Sequence, residues 1–152
     1  MTMYEKLRPW TEIESCRCKT VTGLVLIDLL TDNPIHCASC RGEIDPERLQ
    51  LTENEVESIV RWHSVASALY RLWLDSGEYE HYAKEKLLDP RGQINQQAQE
   101  LAIAMSLRLP TRFWYFHDTE DGDPIRCPVC GNQLDAAVEW GVGICRPCHV
   151  QM

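Results

Sequence analysis

Eight cysteines in four close pairs constrain this chain more than any other feature. The pairs are Cys16-Arg17-Cys18, Cys37-Ala38-Ser39-Cys40, Cys127-Pro128-Val129-Cys130 and Cys145-Arg146-Pro147-Cys148. Two lie near each end, and the stretch between Cys40 and Cys127 holds no cysteine. A CxxC turn brings two sulfurs about one metal's width apart, and two such turns complete the tetrahedral four-thiolate set that zinc prefers.

The C-terminal set is the more regular. Fourteen residues separate Cys130 from Cys145, and Gly131 directly after Cys130 suits a tight turn. Residues 133–138 and 141–144 read as two strands of a hairpin, which makes this module a zinc ribbon. A redox CxxC uses one pair at a helix start, so two facing pairs favour metal over thiol exchange. In the N-terminal set, Cys16 and Cys18 form a CxC, and eighteen residues separate Cys18 from Cys37. Side chains i and i+2 of an extended strand point the same way, so CxC can also chelate one ion. Arg41-Gly42 follows Cys40 much as Gly131 follows Cys130. Residues 21–30 supply strand material and Asp32-Asn33-Pro34 a turn. His36 is the rival ligand in this set.

Spacing alone leaves the pairing open, because four cysteine pairs combine in three ways. Pairing within each end closes the smaller loops and is the arrangement expected. With all four positions taken by protein, both zinc ions would be structural, leaving no open coordination for substrate.

The middle reads as helical. Thr52-Glu53-Asn54-Glu55 fits a capping box. From there Val56, Ile59, Val60, His63, Ala66, Tyr70, Trp73 and Leu74 recur at helical spacing, and Trp62, Val65, Leu69 and Leu72 form a second stripe. Two apolar faces predict a sandwiched central helix that stops near Gly77. A shorter helix is expected over 79–88, ending at the turn Asp89-Pro90-Arg91-Gly92, and a third over 95–107 with Asn95 as N-cap. The aromatic run Arg112-Phe113-Trp114-Tyr115-Phe116 predicts a strand. The expected class is therefore α+β: about three helices (51–110) flanked by two small four-cysteine zinc modules (1–50 and 111–152), expected to form one compact unit. On this division the helical middle keeps its fold without metal.

The stretch Leu69-Tyr70-Arg71-Leu72-Trp73-Leu74-Asp75-Ser76-Gly77-Glu78-Tyr79-Glu80, the Trp114-Tyr115-Phe116 strand and the Cys127-Pro128-Val129-Cys130-Gly131 knuckle resemble a bacterial family. Its members are zinc-ribbon-containing proteins of unknown function, for which nucleic-acid binding has been suggested. The resemblance covers about the C-terminal two thirds and implies zinc. The CxC of Cys16 and Cys18 departs from it.

Charge then weighs on function. Fifteen basic residues face 23 acidic ones among 152, a formal net charge of -8. Eight thiolates holding two divalent ions would take it to about -12. Such a chain is repelled by phosphate backbones unless Arg108, Arg112, Arg126 and Arg146, with Arg17, Lys19 and Arg41, gather on one face. The longest apolar run, Gly23 to Leu30, is broken by Asp28 and is too short to span a bilayer. The first residues show no secretory signal, and a cytoplasmic setting that keeps thiols reduced is expected.

The histidines fall in separate contexts. His63 suits a helix face, His149 is at most a spare ligand, and His117 with Asp118, Glu120, Asp121 and Asp123 reads as a solvated acidic loop rather than a hydrolytic site. No nucleophile elbow, phosphate loop or dinucleotide fingerprint is present. The expectation is a non-enzymatic, zinc-stabilised acidic module that binds another protein with a basic surface, such as an immunity protein covering a basic toxin. A nucleic-acid-binding zinc ribbon is the alternative.

Overall fold

The computed structural model describes residues 3–7, 15–29 and 33–152. Three helices occupy the middle of the chain: α1 (Glu53–Asp75), α2 (Glu80–Leu88) and α3 (Gln93–Met105). Five short strands surround them in sequence: β1 (Leu24–Leu26), β2 (Ile35–Cys37), β3 (Thr111–Trp114), β4 (Ile144–Cys145) and β5 (Val150–Gln151). All five belong to one sheet, in the order β2-β1-β3-β5-β4.

The middle strand carries the architecture. β3 pairs in parallel with β1, Leu24 opposite Thr111 and Leu26 opposite Phe113, and in parallel with β5, Phe113 opposite Val150. The outer pairs β1–β2 and β4–β5 are antiparallel. The ladder thus runs without a break from the N-terminal cysteine region to the C-terminal one. Side chains alternate along each strand. Leu24, Leu26, Phe113 and Tyr115 meet Val56, Ile59, Trp62 and Ala66 of α1 and Ala98, Ala102 and Met105 of α3 in the main core. Val25, Ile27 and Ala38 form a smaller core on the opposite face, closed by Trp114 and Trp140. With both faces covered, β1 is buried at every position.

The capping box forms as its residues predict. Thr52 Oγ1 accepts from the Glu55 N–H at 3.2 Å, and Glu55 returns a carboxylate oxygen to the Thr52 N–H at 2.9 Å. α1 stops at Asp75, with Gly77 in the left-handed region at φ 65°. Its second stripe is not sandwiched: Trp62 is buried, but Val65 is 51% exposed. The third helix begins earlier than its sequence suggests. Gly92 is the N-cap, and Asn95 lies inside α3, buried, with its amide donating to the carbonyls of Leu87 and Asp89. Asn95 therefore caps the end of α2 across the turn instead of starting its own helix.

Strand lengths also differ from expectation. The predicted hairpin of 133–138 and 141–144 reduces to one isolated bridge, Asp135 with Ile144, while Gln133 bridges back to Arg126 across the knuckle. Ile144–Cys145 pairs instead with Val150–Gln151, a strand too short for a periodic signal. β1 spans only part of 21–30, of which Leu30 lies outside the described residues. The turn at Asp32-Asn33-Pro34 is described from Asn33 onward, where the buried Asn33 amide donates to the Ile44 carbonyl at 2.7 Å. Past β3, Phe116 leaves the ladder and packs edge-on against Trp73, ring centroids 4.9 Å apart.

Candidate metal centres

Two CxxC knuckles share one hydrogen-bond pattern, and the third differs in that the His149 N–H donates to the Arg146 carbonyl at 3.2 Å. In the first, the Arg41 N–H donates to the Cys37 carbonyl at 2.9 Å and the Cys37 N–H to the Gly42 carbonyl at 2.8 Å. In the second, the Gly131 N–H donates to the Cys127 carbonyl at 2.8 Å and the Cys127 N–H to the Asn132 carbonyl at 2.8 Å. The residue following the second cysteine takes the left-handed conformation in every case: Arg41 at φ 65°, Gly131 at 78° and His149 at 58°. The turn that aims both sulfurs inward requires it. Position 131 meets the requirement with glycine, while Arg41 and His149 carry the strain of a side chain there.

Gly42 has a different role from Gly131. A Cβ at Gly42 would stand 2.7 Å from both the Cα and the N of Cys16. It is small so that the CxC strand can lie against the knuckle, where the Cys16 N–H donates to the Glu43 carbonyl at 2.7 Å. Arg48 fixes that strand from the other side. Its guanidinium donates to the carbonyls of Cys16, at 3.1 Å, and Cys18.

The sulfurs of Cys16, Cys18, Cys37 and Cys40 all lie within 4.8 Å of one another, and so do those of Cys127, Cys130, Cys145 and Cys148. The cysteines therefore gather within each end and not across the chain. None forms a disulfide among the described residues. The donor set fits zinc. Ligands about 2.3 Å from a tetrahedral centre stand about 3.8 Å from one another, and Cys130 and Cys145 are 3.7 Å apart. Each group offers four soft donors and nothing else, which suits zinc and leaves no position for water.

The thiols are unequal. Burial pushes Cys16 up, but the Cys18 N–H, Cys40 and Arg48 outweigh it and hold the thiol at about 7. The Asn132 N–H brings Cys130 down to about 7. Burial pushes Cys40 up to about 12 and raises Cys148 as well. Each cluster without metal thus carries thiols that stay protonated at neutral pH, and loading an ion must expel those protons.

No histidine joins either group among the described residues. His36, one residue from Cys37 on β2, is buried, and its Nδ1 lies 2.8 Å from the Arg41 carbonyl. Strand alternation turns it to the face away from the sulfurs. His149 directs Nδ1 to the Thr111 carbonyl at 3.0 Å and to Ser106 Oγ at 3.1 Å, tying the last knuckle to the end of α3. His63 lies half-buried on α1, and His81 faces Glu85 on the exposed side of α2. The acidic loop is solvated at Glu120, Asp121 and Asp123, as expected, but anchored at its start. Asp118 is buried, and Lys84 of α2 bridges Asp118 and Asp121 at 2.9 Å each. His117 beside it lies against Trp114, ring centroids 5.9 Å apart.

Trp140 gave no sequence signal, yet it joins the two centres. Its indole Nε1–H donates to the carbonyl of Ala38, inside the first knuckle, at 2.9 Å. Its ring stacks on Trp114 at 5.6 Å with an interplanar angle of 18°, and Arg41 sits over it at 5.3 Å. Gln151, fully buried, holds the Trp140 carbonyl with its amide and accepts from Arg112 Nε.

Comparison of the chain with protein-family models, with curated proteins and with solved structures returns no match.

Proposed function

We propose that both clusters hold structural zinc and that the zinc-held scaffold is a non-enzymatic, acidic protein-binding module acting in the cytoplasm. The observation that carries this reading is how the chain spends its charges. Arg146 pairs with Asp135 at 2.6 Å, Arg108 with Glu55, Arg112 with Gln151, and Arg126 with the Gly131 carbonyl. These are the arginines a nucleic-acid face would need, and each is held by the protein itself. Phe113 and Tyr115 are in the core and offer no stacking platform.

The acids are available by contrast. The turn between α1 and α2 presents Asp75, Glu78 and Glu80, all exposed, around Tyr79, which is 51% exposed. An amphipathic ring amid carboxylates suits a basic partner surface, since tyrosine anchors interfaces and complementary charge speeds encounter. A basic toxin neutralised by an immunity protein is one such partner.

Affinity capture from the native host tests this. The zinc-loaded chain is expected to retain a basic protein that elutes with salt. The triple variant Asp75→Lys, Glu78→Lys, Glu80→Lys should weaken retention about tenfold or more. Retention of oligonucleotides at low salt, with no protein bound, would replace this reading with the nucleic-acid one.

A further inference from the structure

An apolar groove opens where α1, α2 and α3 converge, remote in sequence from both cysteine sets. Its volume is about 490 Å³, and its apolar lining comes from Val65 and Leu69 of α1, Tyr82 of α2 and Ile94 of α3. Val65 and Tyr82 are 51% and 54% exposed, while Leu69 is half-buried and Ile94 buried at the floor of the groove. The groove continues past Arg61 and Gln97 into a second hollow of about 320 Å³ that reaches Ser58 and Ala104. From Ser58 to Leu69 this is about 16 Å of helix axis, close to three turns. A trough of that length suits a short helix better than a compact small molecule.

Its charge runs against the rest of the chain. The larger hollow is lined by two cations, Arg61 and Lys86, and by no carboxylate, although acids outnumber bases 23 to 15 overall. Neither cation is in a salt bridge among the described residues. The acid nearest Arg61 along its own helix, Glu57, is bonded to Lys6 at 2.8 Å and feels Arg61 only as a weaker, more distant charge. The Lys86 ammonium lies over the Tyr82 ring at 5.5 Å, which holds positive charge at the groove wall. The one acid of the trough, Glu100, lies in the smaller hollow beyond Arg61.

We infer that this groove receives an amphipathic helical segment of a partner protein, its apolar side chains on Val65, Leu69 and Ile94 and its carboxylates at Arg61 and Lys86. The match is one of shape and of charge: a trough about three turns long, apolar over Val65, Leu69 and Ile94, with the cations Arg61 and Lys86 on its walls and no salt bridge to either among the described residues. The surface is distinct from the acidic α1–α2 turn and opposite in sign, so either reading can fail without the other.

The test pans the zinc-loaded full chain against a phage-displayed library of helical peptides. Enriched peptides should carry Leu, Ile or Phe at i and i+3 or i+4 with Asp or Glu at one end. A synthetic representative should lose binding at least about tenfold, the scale of a removed interfacial charge pair, to Arg61→Glu with Lys86→Glu. Replacing its acids by lysines should restore binding to that double variant. Both substitutions are on the exposed rim, and circular dichroism with zinc content confirms that the variant is folded. Enrichment of basic peptides, binding indifferent to the double variant, or no enrichment would each overturn the inference. So would sedimentation showing a dimer that the double variant dissolves, since the occupant would then be a second copy.

Discussion

A strong chelator is expected to unfold the whole chain in one step, helices included. The three-part division of the sequence predicts otherwise, because α1 has its own cap and apolar face. The packing explains the reversal. Cys16, Cys37, Cys127, Cys145 and Cys148 belong to the same buried cluster as Val56, Ile59, Trp62, Ala98 and Ala102. The sheet against which α1 and α3 pack draws β1 and β2 from one cysteine region and β4 and β5 from the other. These strands are two or three residues long, β3 apart, and cannot outlast the knuckles that end them. A structural zinc supplies roughly 10 kcal/mol or more at neutral pH, as much as the whole net stability of a typical domain at about 5–15 kcal/mol, and two ions supply more than that. Far-UV circular dichroism and tryptophan fluorescence should therefore fall together during chelation, and zinc should restore both. Retention of most of the helical signal after both ions are removed would show that the middle folds alone.

The second large effect separates two glycines that look alike in the sequence. Gly42→Ala should abolish the N-terminal metal site. The added Cβ meets backbone atoms of Cys16 at 2.7 Å, which cannot rotate aside, so the CxC strand must leave the knuckle. The expected outcome is loss of one zinc and of about 3 kcal/mol or more. Gly131→Ala has open space around its Cβ and only the left-handed backbone to sustain, at φ 78°. It should cost about 1–2 kcal/mol and keep both ions. Thermal melts with metal analysis on the two variants decide the matter. Equal losses would mean that the glycines serve the same purpose.

The two four-cysteine clusters were legible because their signal is local. Sulfurs must meet two by two at close spacing, and the CxC and CxxC pairs state which cysteines supply each half of a site. Covalent spacing could not say whether the sets form within each end, nor that His36 turns away, because that depends on the face of β2. The capping box at Thr52 and Glu55 was equally local. What stayed hidden was long-range. β5 is two residues long and has no period to detect, and its pairing with β3 joins residues about forty positions apart. Trp140 reads as an ordinary loop aromatic until its indole N–H is seen bonded to Ala38. Asn95 misled for a related reason: a good N-cap residue was recruited by the preceding helix, whose last carbonyls it satisfies.

Asp28 shows how tertiary context overrides a local cue. In the sequence it interrupts an apolar run within the expected strand material of 21–30. In the fold it is buried just past β1, and burial raises its carboxyl to about 7. Its charge also reaches Tyr70, whose hydroxyl is raised chiefly by its own burial.

The central claim is that two closed four-thiolate centres, one at each end of a shared sheet, hold this chain together. Elemental analysis of protein purified without chelator tests it most directly. The account predicts two zinc ions per chain. One ion per chain would remove a centre and leave the sheet held from one side only, and none would contradict the account outright.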